Sequence, residues 1–115
     1  MHIIIDRDAV CAADDMSHHR EEFTVPDGII IASLFEYLEF KYIPVIAGNN
    51  VVWALHHHDI EVGTYFTQNR SFINGNVSLS SIISNSERDN EFYLRYYSSP
   101  DRYSCLLYTS DAADE

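Results

Sequence analysis

A chain of 115 residues can hold one hydrophobic core and no more. Its 18 acidic side chains against 7 basic ones give a formal charge of −11, which repels a phosphate backbone and sets direct nucleic-acid binding aside. The same charge suits a soluble domain, or a surface that meets a basic protein partner.

Taken in order, the chain begins with a strand at His2–Asp6. Ile3 and Ile5 share one face there, and the triple-Ile run asks for cover on both sides. Arg7 to Arg20 is polar and reads as a loop. Glu21-Glu22-Phe23-Thr24-Val25 alternates and should return antiparallel to the first strand, ended by the turn formers Pro26-Asp27-Gly28. Ile31, Leu34, Phe35, Leu38 and Tyr42 then recur at helical spacing, so a helix over Ile31–Tyr42 presents one apolar stripe. Its start lacks a capping side chain, and Pro44 stops it. Gly48-Asn49-Asn50 is a turn. Val51-Val52-Trp53-Ala54-Leu55 is the most apolar strand, and Trp53 is expected to be deeply buried on it. His56 to Asp59 is read as a loose connection to a second strand, in which Ile60, Val62, Thr64 and Phe66 alternate. Asn74-Gly75 marks a turn. Val77, Leu79, Ile82 and Ile83 suit a short helical turn, and Ser84 to Asn90 a loop. Glu91 to Tyr97 sets Phe92, Leu94 and Tyr96 against Tyr93, Arg95 and Tyr97, and is the last strand.

One main helix among about five strands predicts an α+β domain over residues 1–104, its helix lying across one face of the sheet. The strand, strand, helix, strand, strand, short turn, strand order resembles the ubiquitin-like β-grasp. That likeness implies a mixed sheet with the first and last strands paired in parallel at its centre. No ubiquitin sequence motif accompanies it, and fold analogy supplies no activity. Ile3-Ile4-Ile5-Asp6-Arg7-Asp8-Ala9-Val10-Cys11-Ala12-Ala13-Asp14-Asp15, with Asn49-Asn50-Val51-Val52-Trp53 further on, also resembles small uncharacterised proteins of Gram-positive gut bacteria, their phages and mobile elements.

The final stretch, Cys105-Leu106-Leu107-Tyr108-Thr109-Ser110-Asp111-Ala112-Ala113-Asp114-Glu115, resembles the conceptual translation of a transposase sequencing adapter. That resemblance implies a non-native tail, excluded from fold reasoning. Removing Asp111, Asp114 and Glu115 takes the formal charge from −11 to about −8 and leaves Cys11 as the one cysteine. No apolar run is long enough to span a bilayer, and the N-terminus lacks the basic and long apolar regions of an export signal. A cytoplasmic location and a reduced Cys11 are therefore expected. Asn69-Arg70-Ser71 and Asn76-Val77-Ser78 match the glycosylation pattern, which without a secretory route is read as chance.

Four constellations carry candidate chemistry. Asp6, Asp8, Cys11, Asp14, Asp15, His18 and His19 are all metal-ligand types. Their spacing completes neither an EF-hand nor a zinc set, so a solvated acidic loop is the plainer reading and no cofactor is expected. Cys11 as a nucleophile would need a histidine within hydrogen-bond reach, and its acidic neighbours oppose thiolate formation. In His56-His57-His58-Asp59, successive strand residues point to opposite faces, which argues against one shared ion. The aromatic residues Tyr37, Phe40, Tyr93, Tyr96 and Tyr97, with Tyr103, are the expected interaction surface. The leading reading is a non-enzymatic protein-interaction domain. A metal-binding protein, and an acidic nucleic-acid mimic that blocks a host protein, are the alternatives.

Overall fold

The computed structural model describes residues 1–10, 19–44, 50–83 and 90–104. It is an α+β arrangement in which a mixed sheet of six strands carries one long helix on one face. The strands are β1 (His2–Arg7), β2 (Glu21–Thr24), β3 (Val52–His57), β4 (Ile60–Phe66), β5 (Ser71–Ile73) and β6 (Glu91–Tyr97), and the helix is α1 (Ile31–Lys41). Their order across the sheet is β2-β1-β6-β3-β4-β5. β1 and β6 run parallel, with Ile5 opposite Phe92 and Arg7 opposite Leu94, and the other neighbours are antiparallel. The triple-Ile strand is therefore flanked on both edges, as its apolar run requires.

The stripe on α1 packs onto one face, called here the inner face. Ile31, Leu34, Phe35 and Leu38 close over Ile3, Ile5, Trp53, Leu55 and Leu94, all with no exposed surface. Trp53 lies against Tyr96 at 5.1 Å, and its indole N–H has no hydrogen-bond partner. Gly63 on β4 lets α1 come this close: a Cβ there would meet two Ile31 side-chain atoms at 2.8 Å. The start of α1 has no side-chain cap at Ile30. Two of its orphan N–H groups are met from outside the helix, Ile31 N donating to the Val77 carbonyl and Ala32 N to that of Gly75, both at 2.9 Å. The loop after β5 is thus the helix cap, and a 3-10 turn at Leu79–Ser81 buries Leu79 beneath it.

Four expectations need correction. The sheet has six strands rather than about five: β5 is three residues long, with alternation too brief to register in sequence. β1 runs on through Arg7, whose buried guanidinium lies 5.3 Å from the Tyr42 ring and donates to the Asp8 carbonyl. The connection after β3 is not loose. β3 extends to His57, and the reversal is a two-residue turn at His58 and Asp59, φ 53° and 66°, the left-handed pair of a tight hairpin. Finally, a register shift opposite Leu55 and His56 makes Val62 an extra residue on β4, so Tyr65 faces α1 while Thr64 and Phe66 face away.

The turn at Gly48-Asn49, the loop from Ser84 to 89 and the segment 105–115 lie outside the described residues.

Candidate functional site

The other face of the sheet, the outer face, follows from register. Directly paired residues share a face, so β6 places Glu91, Tyr93, Arg95 and Tyr97 there. Beside them stand Ile4 and Asp6 on β1, then Val52, Ala54 and His56 on β3, then Glu61, Thr64 and Phe66 on β4. Two regions result.

The first is a polar cleft of roughly 230 Å³, lined by Asp6, Arg20, His56, His58, Asp59, Glu91 and Tyr93 among others. Arg20 and Glu91 form an ion pair across it. Tyr93 donates its hydroxyl to Asp8 Oδ1 at 2.5 Å, and burial with this bond pushes its phenol up to about 12. Asp8 Oδ2 also accepts the Tyr96 N–H at 2.9 Å. β1 has left the sheet by this point while β6 continues, so the Asp8 carboxylate takes the N–H that the strand no longer pairs. The half-buried His56 ring sits opposite both Tyr93 and Glu61. Burial holds its imidazole below the usual value, and its Nε2 is shielded without a partner.

The second region is aromatic. Residues 100–104 form a helical turn that folds over β3 and β4. Pro100 suits a first helical position, and the Ser99 carbonyl accepts the Arg102 N–H at 3.2 Å behind it. Tyr103, 4% exposed, is the buried residue of this segment. Its ring rests on Val52 and Ala54, edge-on to Phe66 at 5.6 Å and to Tyr97 at 5.3 Å. Its hydroxyl donates to Glu61 Oε2 at 2.6 Å and lies 3.4 Å from Thr64 Oγ1. Burial first, then the Glu61 bond, raises this phenol to about 12.

The expected aromatic surface does not form one patch. Tyr93 and Tyr97 share the outer face. Tyr96 turns inward against Trp53, and Tyr37 packs edge-on to Phe23 at 5.9 Å beneath α1. Phe40 stands on the solvent side of α1, 86% exposed. Tyr103 is joined to Tyr97 by contact, and Glu61 and Thr64, which complete that cluster, carried no sequence signal of their own. The pair Ser99-Pro100 was the available hint that a helical turn carries Tyr103 back onto the sheet.

Of the candidate metal ligands, the Asp6 carboxylate accepts its neighbour Arg7 N–H at 2.8 Å, and Asp8 is bound to β6 as described. His19 presents its carbonyl to the Tyr42 hydroxyl. Cys11, Asp14, Asp15 and His18 lie outside the described residues. Among the described residues no three His, Cys, Asp or Glu side chains gather as a metal site. The three histidines do not converge on one point: His56 faces outward into the cleft, His57 is buried 5.0 Å from the Phe92 ring, and His58 occupies the turn with its ring 4.2 Å from that of His57.

No helix among the described residues is long and apolar enough to cross a membrane. No protein-family model, curated protein or solved structure matches the chain.

Proposed function

We propose that this chain is a β-grasp-like interaction domain of a bacterial mobile element or phage, and that it meets a protein partner through the outer face of its sheet. The β-grasp reading is supported by the parallel β1–β6 pair, flanked by β2 on one side and by β3 and β4 on the other, with α1 across one face. β5 is then an addition at the edge. The assignment to mobile elements rests on the sequence resemblance of the Ile3–Asp15 and Asn49–Trp53 stretches.

The observation that carries the function is the asymmetry of the two faces. α1 seals the inner face, whereas the outer face offers Tyr93, Arg95, Tyr97, His56 and Glu91 at the middle of the sheet with a short helical turn over one part of it. Tyrosine and arginine there are the residue types that dominate binding energy at protein interfaces. The acidic balance of the chain favours a basic partner, whose binding should weaken with added salt.

The test is affinity capture with the full chain, followed by measured affinity for the recovered partner. Glu91→Lys and Tyr93→Ala should weaken binding by about tenfold or more, the scale of a single interface hot spot. Phe40→Ala, on the far side of the domain, should leave it unchanged. A partner lost on Phe40→Ala and retained by both outer-face variants would place the interface on α1 and overturn the reading.

A further inference from the structure

The turn from β4 to β5 borders a second hollow, at the end of the sheet opposite Glu91 and Tyr93. Val52 pairs with Phe66 on one side and with Tyr97 on the other, which sets Phe66 at that end. The hollow is a groove of about 550 Å³ lined by Asn50, Phe66, Gln68, Asn69, Ser71 and Pro100. Its size is that of a small-molecule site. Backbone contacts fix its frame. Thr67 Oγ1 accepts the Val51 N–H at 3.0 Å and donates to the Val51 carbonyl at 3.1 Å, and the Thr67 N–H donates to the same carbonyl at 3.1 Å. These bonds tie the residue after Asn50 to the residue before Gln68. Ser71 Oγ donates to Asn69 Oδ1 at 2.8 Å and so orients that amide. Arg70, at φ 51°, brings the turn back into β5. Its guanidinium lies 2.9 Å from Glu39 on α1, which draws the one charge of the turn to the inner side.

We propose that this groove binds a neutral carbohydrate. Its six lining residues are all uncharged, in a chain with 18 acidic and 7 basic side chains. An ionic ligand would leave water for a groove that offers it no countercharge. A purely apolar ligand would cover three amides and a hydroxyl without giving them partners. A neutral polyhydroxylated molecule satisfies both conditions. Each amide of Asn50, Gln68 and Asn69 presents N–H donors and a carbonyl acceptor, and each sugar hydroxyl both donates and accepts. The half-buried Phe66 ring and the Pro100 ring supply apolar surface for the C–H side of a pyranose. The site is separate from the Glu91 and Tyr93 surface and takes a ligand of a different class.

The test titrates the full chain with neutral trisaccharides, namely maltotriose, cellotriose, xylotriose and the trisaccharide of N-acetylglucosamine, and follows amide chemical shifts. At least one should bind with a Kd of about 1 mM or below. The shifts should centre on Asn50, Phe66, Gln68, Asn69 and Ser71 and spare Glu91 and Tyr93. Asn50→Ala and Gln68→Ala change exposed side chains, so the fold should stand. Each should weaken binding about three- to tenfold, the loss expected for one hydrogen bond. Phe66→Leu keeps an apolar side chain without the ring and should weaken it by a similar factor. A phosphorylated glucose and triglycine, the charged and the peptide alternatives, should leave the groove amides unmoved. A methyl glycoside of the tightest binder separates two sources of one chemistry: retained affinity fits a glycan linked to a larger molecule, and lost affinity a free sugar. Silence of the groove toward all four trisaccharides would overturn the proposal. So would tighter binding of the phosphorylated glucose or triglycine, or sugar binding that all three variants leave unchanged. Sugar binding needs no protein partner, so its failure leaves the Glu91 and Tyr93 experiments intact, and their failure leaves the groove intact.

Discussion

Strand β3 is buried on both faces, but the two faces are closed by different means. On the inner side, α1 lays four fully buried residues across Trp53 and Leu55, and Gly63 clears the space that lets Ile31 descend. The cover is long, and its start is tied down by the carbonyls of Gly75 and Val77. On the outer side, Val52 and Ala54 are equally dry, and among the described residues their cover rests on Tyr103. Equal burial therefore does not mean equal resistance to opening. What differs is what each cover is tied to: four buried side chains and a start held by two carbonyls on the inner side, one buried tyrosine among the described residues on the outer side.

This contrast can be broken at several points. The largest effect is expected at Trp53. Trp53→Ala should cost about 3–5 kcal/mol and leave a domain that melts at a much lower urea concentration, or does not fold at all. A loss under 1 kcal/mol would mean that the inner face is not the main core.

Gly63→Ala tests the approach of α1 directly. The added methyl must push into Ile31, and the expected cost is about 1–3 kcal/mol by denaturant titration. An unchanged midpoint would show that α1 is free to ride higher on the sheet.

Tyr103→Ala should cost less than about 2 kcal/mol, although it deletes a side chain as buried as many in the core, because the freed segment regains its conformational entropy. Amide exchange should quicken at Ala54 and Thr64 while Leu34 and Phe35 stay protected. Uniform loss of protection would mean that the two faces form one cooperative unit.

The smallest effect is expected from alkali. The Tyr103 phenol is raised from its ordinary value near 10 to about 12 by burial and by Glu61. A raised value means that the folded form keeps a proton the free segment gives up. The contribution of this contact is therefore full below about pH 10 and falls away as pH climbs towards 12. Tyr65 behaves alike on the inner side, where burial and Glu39 raise it to about 12, so Tyr103→Phe is the control that isolates the outer contribution. Wild type and Tyr103→Phe with the same alkaline profile at Val52 and Ala54 would remove Tyr103 as the titrating group.

Much of the inner face was legible in the residues. The helical spacing of Ile31, Leu34, Phe35 and Leu38, the alternation of Phe92, Leu94 and Tyr96, and the unbroken run around Trp53 each state which side wants cover. The candidate site was less so. Tyr93 and Tyr97 could be assigned to one side of a strand by alternation alone, but Tyr37, Tyr96 and Phe40 belong to surfaces that a sequence does not separate. The register shift at Val62 also moved Thr64 and Phe66 to the outer face, and it is set by pairing with β3 rather than by anything within β4.

The boundary between the two kinds of information follows the range of the forces involved. The amino-acid sequence by itself determined where the helix runs and where Pro44 stops it. It determined that the three isoleucines of β1 need neighbours on both sides, and that Trp53 is core. Each of these depends on residues within a turn or two of one another, or on apolar area that must leave water wherever the chain goes. Only the tertiary structure decided that the loop after β5 caps α1, that Asp8 completes the β6 ladder, and that Glu61, Thr64 and Tyr103 meet. Those contacts join residues far apart in the chain, and a single hydrogen bond or methyl contact leaves no periodic trace in sequence from which its partner can be named.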